Sequence, residues 1–140
     1  TSLPNLYHLG IADNQISKST ESPFKNLHKL TFLDFSNNSL TSISSSFFKG
    51  CSNLLVLGMS TNQVSVLPRS LLSNLSVLQR LEIGAMNLDD NIWIELTELR
   101  QLGRLNMSYN QLTTFNTDIM SQFMRLQYFY LSHNKITSLP

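Results

Sequence analysis

The chain has 140 residues, of which 41% are hydrophobic and 14% are charged, and its formal net charge is +1. That charge gives no field strong enough to favour nucleic acid or an anionic membrane, and no apolar run approaches the roughly 20 residues of a membrane span. Ser, Thr and Asn fill many polar positions, which is more typical of an extracellular or lumenal protein than of a cytosolic one.

The sequence repeats with a constant step of 24 residues. Each repeat has apolar residues at its first, fourth, sixth and eleventh places, as in LTFLDFSNNSL and LGRLNMSYNQL. The six repeats begin at residues 6, 30, 54, 78, 102 and 126. A fixed period predicts a stack of units in place of a compact sphere. Residues 1–140 are therefore predicted to form a single solenoid segment that is uncapped at both ends.

Each repeat opens with LxxLxL, in which apolar and variable residues alternate as in a strand with one buried face. One such strand cannot bury its apolar face alone, so the strands are predicted to stack as a parallel sheet about 4.8 Å apart. The rest of each repeat returns the chain, with helical or 3₁₀ turns predicted after Ser22-Pro23 and Thr117-Asp118. The fourth return is predicted to be the most helical, with Asp89 and Asp90 at its start. Its apolar face is formed by Leu88, Ile92, Leu96 and Leu99.

An asparagine stands at the ninth place of every repeat except the fourth. An inward amide can both donate and accept hydrogen bonds, so stacked asparagines can bridge the backbones of adjacent coils. The predicted ladder consists of Asn14, Asn38, Asn62, Asn110 and Asn134. Met86 stands there in the fourth repeat and is predicted to lose one rung. Two interpretations remain for that repeat: tolerated drift, or a bend or protruding loop that shapes a contact surface.

These residues resemble the leucine-rich repeat family. The pattern LxxLxLxxNxLxxL, with Phe24, Phe48, Leu72 and Leu96 at the nineteenth place, is similar to its 24-residue "typical" extracellular subclass. The Ser/Asn-rich, Phe-studded texture looks most like a Toll or Toll-like receptor ectodomain. The resemblance implies an α/β solenoid, a horseshoe segment with a parallel β-sheet on its concave face. Short helices, 3₁₀ turns and loops would cover the convex face.

The same resemblance implies a function. It indicates a non-enzymatic recognition module at the cell surface, in the ectodomain of a membrane protein that serves innate immunity or development. Its partner would be a protein or microbial ligand, and receptor dimerisation would be a further interaction. The alternative is an extracellular adhesion or matrix scaffold that binds a structural protein or itself.

Side chains that point outward from the strands define the candidate binding surface. Aromatic residues and arginine dominate the energetics of protein interfaces. The candidates on the concave face are Phe32, Val56, Arg80, Glu82, Arg104, Tyr109, Tyr128 and Tyr130. The competing interpretation is that exposed apolar residues are common on any protein surface.

No residue pattern favours catalysis, a metal or a cofactor. The histidines are far apart in the repeat frame, and Cys51 stands at a place where other repeats have a core Leu or Phe. We expect no enzyme activity, no cofactor, no nucleic-acid partner and no membrane contact from this segment. Sequons at Asn37, Asn74 and Asn106 are candidate N-glycosylation sites, and a glycan on Asn106 would cover the middle of the surface from Arg80 to Tyr130.

Overall fold

A computed structural model describes residues 3–140, so the first two residues of the predicted segment lie outside the described residues. It contains one parallel sheet of six strands in the order β1-β2-β3-β4-β5-β6. The strands are β1 His8–Gly10, β2 Phe32–Asp34, β3 Val56–Gly58, β4 Arg80–Glu82, β5 Arg104–Asn106 and β6 Tyr128–Tyr130. The predicted parallel stack of one strand per repeat is therefore confirmed.

The middle residue of each strand faces the core, and its two neighbours face away. Leu33, Leu57, Leu81 and Leu105 at these middle positions are fully buried. Because successive strand side chains alternate between faces, three residues are enough to bury one leucine and expose two side chains. The leucines that open the repeats pack beneath them in the same core.

The core continues under the return segments. The nineteenth-place residues Phe24, Phe48, Leu72 and Leu96 are all buried, and Phe47 meets Phe48 edge to face with ring centroids 5.0 Å apart. Cys51 takes the place of a core leucine and is fully buried. Burial disfavours the thiolate and raises the pKa of this thiol to about 11.

Two returns contain a short α-helix: α1, Ile92–Glu95, and α2, Thr117–Met120. The fourth return is helical as predicted, and the four residues of its predicted apolar face are buried. Around Ser22-Pro23 the chain makes i→i+3 turns instead of an α-helix, with Leu27 N bonded to Phe24 O at 2.9 Å. Within residues 3–140 no helix is both long and apolar enough to cross a membrane.

The start of α2 differs from the sequence-based assignment, and Asp90 before α1 makes contacts that the sequence did not predict. The N-cap of α2 is Asn116, whose side chain accepts a hydrogen bond from Ile119 N at 3.1 Å. Asp90 does not cap α1. Its carboxylate bridges to the next coil, accepting from the Thr113 hydroxyl, from Thr113 N at 3.0 Å and from Thr114 N at 3.4 Å. Burial raises the pKa of Asp90, and these hydrogen bonds outweigh it, so the net shift is downward.

Four asparagines bridge adjacent coils. Asn62, for example, accepts from Leu40 N at 3.2 Å in the preceding coil and donates to Phe35 O there and to Met59 O in its own coil. Asn38, Asn110 and Asn134 make the same pattern of bonds. Asn14 lies in the first repeat, so no preceding coil of this sequence faces it, and its side chain donates to Ile11 O at 3.0 Å and Ala12 O at 3.2 Å in its own coil.

The fourth repeat differs from the others at the turn that follows its strand. Met86 is buried, and no acceptor among residues 3–140 bonds to Val64 N, the donor that an asparagine at position 86 would satisfy. Ala85 and Asn87, on either side of Met86, both have positive φ. The sheet register nevertheless continues unbroken, with Leu57 opposite Leu81. The irregularity is therefore confined to the turn.

Candidate ligand-binding face

The parallel register assembles the outward side chains into columns across the sheet. The third-place column reads His8, Phe32, Val56, Arg80, Arg104 and Tyr128, and each residue stands opposite the next. The fifth-place column reads Gly10, Asp34, Gly58, Glu82, Asn106 and Tyr130 in the same way. Neighbouring strands lie about 4.8 Å apart, so residues 24 apart in sequence become direct neighbours. We call this surface the concave face.

An ion-pair cluster occupies the centre of the concave face. One carboxylate oxygen of Glu82 accepts from Nε of Arg80 at 2.9 Å and from Nε of Arg104 at 2.8 Å. The Glu82 side chain is 16% exposed, whereas those of Arg80 and Arg104 are 48% and 36% exposed. The hydrogen bond to Glu82 is the main reason that the pKa of Arg104 is raised. Glu82 thus fixes the two guanidinium groups while leaving them accessible.

Two tyrosines continue this cluster on the last strand. The guanidinium carbon of Arg104 lies 4.8 Å from the ring centroid of Tyr130 and 6.0 Å from that of Tyr128. The Tyr130 hydroxyl lies 3.5 Å from Nη1 of Arg104, at the outer limit for a hydrogen bond. Both rings remain exposed. A guanidinium over a ring face is held by the ring quadrupole, which limits its rotation.

The first half of the concave face is apolar and aromatic. The rings of His8 and Phe32 stack with centroids 3.8 Å apart and planes 6° from parallel. Val56, on β3, stands opposite Phe32 and is half-buried. Along this column Phe32 and Val56 on β2 and β3 are followed directly by the arginines on β4 and β5, and Val56 stands opposite Arg80. These candidates therefore form one row with an apolar half and a cationic half.

Asp34 is fixed in place beside the apolar group. Its Oδ1 accepts from Ser36 N at 3.0 Å. A Cβ added to Gly58 would lie 2.7 Å from that oxygen, so the glycine on β3 leaves the room that this carboxylate occupies. The aspartate therefore adds a negative charge at a fixed point of the first half.

The eighth-place residues form the rim of the concave face at the carboxyl ends of the strands. All six, Asp13, Asn37, Thr61, Ala85, Tyr109 and His133, have positive φ, between 52° and 60°. Their backbones continue the ladder past the strands; for example, Tyr109 N donates to Ser132 O at 2.9 Å. The rings of Tyr109 and His133 stack at 4.2 Å and 9°. Tyr109 therefore belongs to this rim, three residues after β5 ends at Asn106, and not to a strand.

A polar depression of about 430 Å³ lies at this rim. It forms where the fourth repeat has only Gly84 and Ala85, next to the Tyr109–His133 pair. His8 and His133 were not among the candidates chosen from sequence. The signal that could have found them is position, because each shares a column with an aromatic residue on the adjacent coil.

A smaller cavity, of about 240 Å³, lies on the return side between the third and fourth coils. Val66 and Ile94 line it and are exposed. Glu95 at its edge already accepts a hydrogen bond from Ser70 N at 3.1 Å. No aromatic side chain lines this cavity. The concave face, which has both arginine and aromatic side chains, is therefore the stronger candidate for recognition.

The three sequon asparagines occupy different surfaces. Asn37 lies exposed on the rim, and its amide donates to Asp13 Oδ1 at 2.6 Å. Asn74 lies exposed on the return side and donates to Phe48 O at 3.3 Å. Asn106 lies half-buried on β5 between Glu82 and Tyr130, with Oδ1 accepting from Ser108 N at 3.0 Å. Modification of any of them stays a prediction.

The described residues offer no cluster suited to a metal ion. Across residues 3–140, no group of three or more His, Cys, Asp or Glu side chains is placed to hold one. His28 lies exposed on the return side, away from the two histidines of the concave face and its rim. The fixed groups of the concave face are thus donors, aromatic rings and single carboxylates, which suit binding.

Comparison of the sequence with known proteins identifies a family and relatives for this chain. A leucine rich repeat family model matches residues 4–47 and 37–88, and a second one matches residues 125–140. CD180 antigen of Mus musculus is 29% identical over 138 residues, which cover 96% of this chain and 21% of that protein. The chain spans about a fifth of the length of the curated relatives it matches.

Solved structures agree with the sequence relatives. A TLR13–ssRNA13 complex superposes with a TM-score of 0.84 and 28% identity, over 94% of this chain and 19% of that chain. The ectodomain of the Arabidopsis receptor kinase HAESA, in complex with an IDA peptide hormone, gives 0.79 and 30% identity, over 94% and 22%. The predicted resemblance to a Toll-like receptor ectodomain is confirmed. The expectation of no nucleic-acid partner finds no support, because one of these structures holds single-stranded RNA.

Proposed function

The chain belongs to the leucine-rich repeat family, and we propose that it is a non-enzymatic recognition module that binds a protein or microbial ligand on its concave face. The observation that carries the proposal is the ion-pair and aromatic cluster of Arg80, Glu82, Arg104, Tyr128 and Tyr130. Nothing in the stacking of the repeats requires these side chains, because they point away from the core. Their fixed arrangement is therefore best explained by contact with a partner.

The cluster is suited to binding because its side chains are already held in place. A free arginine side chain loses conformational entropy when a partner immobilises it, at a cost of roughly 0.5–1.5 kcal/mol. Here Glu82 and the Tyr130 ring hold Arg104 before any partner arrives. Preorganised arginine and tyrosine are the residue types that most often supply the main binding energy of an interface.

The size of the sheet limits what this segment contributes. Five strand gaps at about 4.8 Å give a face roughly 24 Å wide, which is less than a standard protein interface spans. The segment is accordingly proposed to supply part of a larger site. By its likeness to CD180 and TLR13, that site belongs to a Toll-like receptor-type ectodomain outside the cell, serving innate immunity or development.

The test uses a partner that needs no prior identification. A phage library of random 12-residue peptides is selected on the immobilised protein, and each enriched clone is measured against three variants. Arg104→Ala and Tyr128→Ala should each weaken most clones by more than 1 kcal/mol without changing thermal unfolding. Lys49→Ala, an exposed substitution on the return side, is the control and should change neither.

The opposite result is equally readable. Clones that lose binding on Lys49→Ala and keep it on Arg104→Ala and Tyr128→Ala would place recognition on the return side. The proposed function of the concave face would then be wrong.

A further inference from the structure

The two arginines of the concave face keep unused hydrogen-bond donors. Both bonds to Glu82 use Nε, and among residues 3–140 the Nη groups of Arg80 meet no acceptor. Arg104 uses only Nη1, in the long contact with Tyr130. A guanidinium presents its remaining donors as a planar fork that matches a carboxylate, a phosphate or a sulfate. The cluster is thus built to accept an oxyanion.

Charge selects among the oxyanions. Arg80, Arg104 and Glu82 together carry a net charge of +1 (two positive, one negative). The wider face, counted over the third-, fifth- and eighth-place columns, adds Asp13 and Asp34 and so reaches −1 with neutral histidines. A local charge of +1 on a face of −1 favours a group with one negative charge and repels a polyanion. A single carboxylate therefore fits better than a sulfated sugar or a nucleic acid.

A second anchor lies at a fixed distance from this one. Phe32, stacked on His8, and Val56 form the apolar group of β2 and β3. Measured between backbone positions, the middle of the Phe32–Val56 pair lies two strand spacings, or about 9.6 Å, from the middle of the Arg80–Arg104 pair. An extended β-strand places residues of one face about 6.8 or 13.6 Å apart, and neither of these distances matches about 9.6 Å. A polyproline II segment places residues i and i+3 on one face about 9.3 Å apart.

We propose that the concave face binds an extended segment of a protein partner in which an acidic residue and a large apolar residue stand three positions apart. The acidic side chain takes the free donors of Arg80 and Arg104, and the apolar side chain packs on Phe32 and Val56. Tyr128 and Tyr130 flank the acidic position. The inference rests on the proposed function of the concave face and adds the chemistry of the ligand.

The experiment uses synthetic peptides of defined spacing. The test peptide carries Glu and, three residues later, Leu in a Ser/Pro background; the comparison peptides set the two residues two or four apart, or replace Glu by Gln. Binding is measured by fluorescence polarisation on the protein and on Arg80→Gln/Arg104→Gln. The control Arg69→Gln/Arg100→Gln removes the same two charges from exposed return positions. Inorganic phosphate, a heparin tetrasaccharide and a single-stranded RNA oligonucleotide test the other oxyanion sources.

The expected result has three parts. The peptide with spacing three binds about tenfold tighter than the others, which is the scale of one charge-assisted hydrogen bond. Arg80→Gln/Arg104→Gln abolishes that preference while leaving thermal unfolding unchanged, and Arg69→Gln/Arg100→Gln retains it. Arg104→Lys, which keeps the charge without the planar fork, also weakens binding.

Other outcomes overturn the inference in distinguishable ways. Equal binding of the Glu and Gln peptides, or no binding of any peptide, refutes the acidic anchor. Preference for the tetrasaccharide, phosphate or RNA replaces the peptide carboxylate with another oxyanion. If phage clones still depend on Arg104 and Tyr128 in either case, the proposed function stands and only the ligand chemistry is wrong.

Discussion

Replacing Asn62 by alanine tests whether the asparagine rungs hold the coils together. Asn62 is buried, and its amide serves three backbone groups. Phe35 O keeps a second partner after the change, because Asn38 also donates to it at 2.8 Å. Leu40 N and Met59 O lose the only hydrogen-bond partner that each has among residues 3–140. Asn62→Ala therefore leaves two backbone groups unpaired.

The magnitude follows from those two groups. An unsatisfied buried polar group costs about 1–3 kcal/mol, and a water that enters the space of the lost amide recovers part of this. We expect Asn62→Ala to lower the free energy of unfolding by roughly 2–4 kcal/mol. Met86→Asn is the reciprocal change, because it offers Val64 N an acceptor while it removes buried apolar volume. Those effects oppose each other, so the expected difference from wild type is within about 1 kcal/mol.

Urea unfolding followed by far-ultraviolet circular dichroism measures both variants. Gln63→Ala is the matched control, because Gln63 is exposed and contributes only its backbone N–H, which donates to Leu40 O at 2.8 Å. It should leave the midpoint unchanged. If Asn62→Ala unfolds at the same urea concentration as Gln63→Ala, the amide bridges do not stabilise the stack and the reasoning fails.

Three further changes test other contacts. Gly50→Ala should destabilise the fold by at least about 2 kcal/mol in urea unfolding, because φ is +91° and a Cβ at this position would lie 2.5 Å from Lys25 O. The control Gly10→Ala should be neutral, because an added Cβ there would meet nothing within 4 Å. Cys51 should resist iodoacetamide at pH 8 until urea unfolds the chain, because its pKa of about 11 leaves only about one thiol in a thousand ionised; rapid labelling of the native protein would contradict this. Asp90→Asn should cost less than about 1 kcal/mol at pH 7, because the carboxylate is only partly buried. Since the pKa of Asp90 is lowered on folding, its contribution is present above the ordinary value of 3.8 and is lost as the pH falls through the folded pKa, so the wild type and Asp90→Asn should converge in acid.

The fold could be predicted from sequence because each inward position is constrained by its neighbours. A residue that faces the core must match the volume of its counterparts 24 residues away, and this leaves the leucine pattern visible. Local deviations were harder to predict. Nothing in the pattern indicates that Asp90 reaches across to Thr113, or that Asn87 takes a left-handed conformation beside Met86. Both depend on where the adjacent coil places its backbone.

The sequence predicts which residues lie on the concave face, but not how their side chains contact one another. The period alone identifies which residues point outward, so Arg80, Glu82 and Arg104 could be assigned to one surface. That Glu82 uses a single oxygen to hold both arginines, and that Arg104 lies over Tyr130, depends on rotamers which the period leaves free. The division into an apolar and a cationic group follows from those side chains, not from the motif.

The repeat geometry makes the fold predictable from sequence, but it does not identify the ligand. Stacking at about 4.8 Å fixes where every outward side chain begins, and it places no requirement on what that side chain is. Core packing therefore does not constrain the residue type at an outward position, which reflects only the needs of the surface. Glu82 and Asp34 are half-buried on this face, and each is oriented by a neighbour: Glu82 by two arginines, and Asp34 by Ser36 N in the space left by Gly58. A carboxylate that only kept the surface hydrated would need no such support. Together with the two arginines, these fixed carboxylates set the charge pattern of the face, which is positive over β4 and β5 and negative beside Phe32. A partner would have to match that pattern.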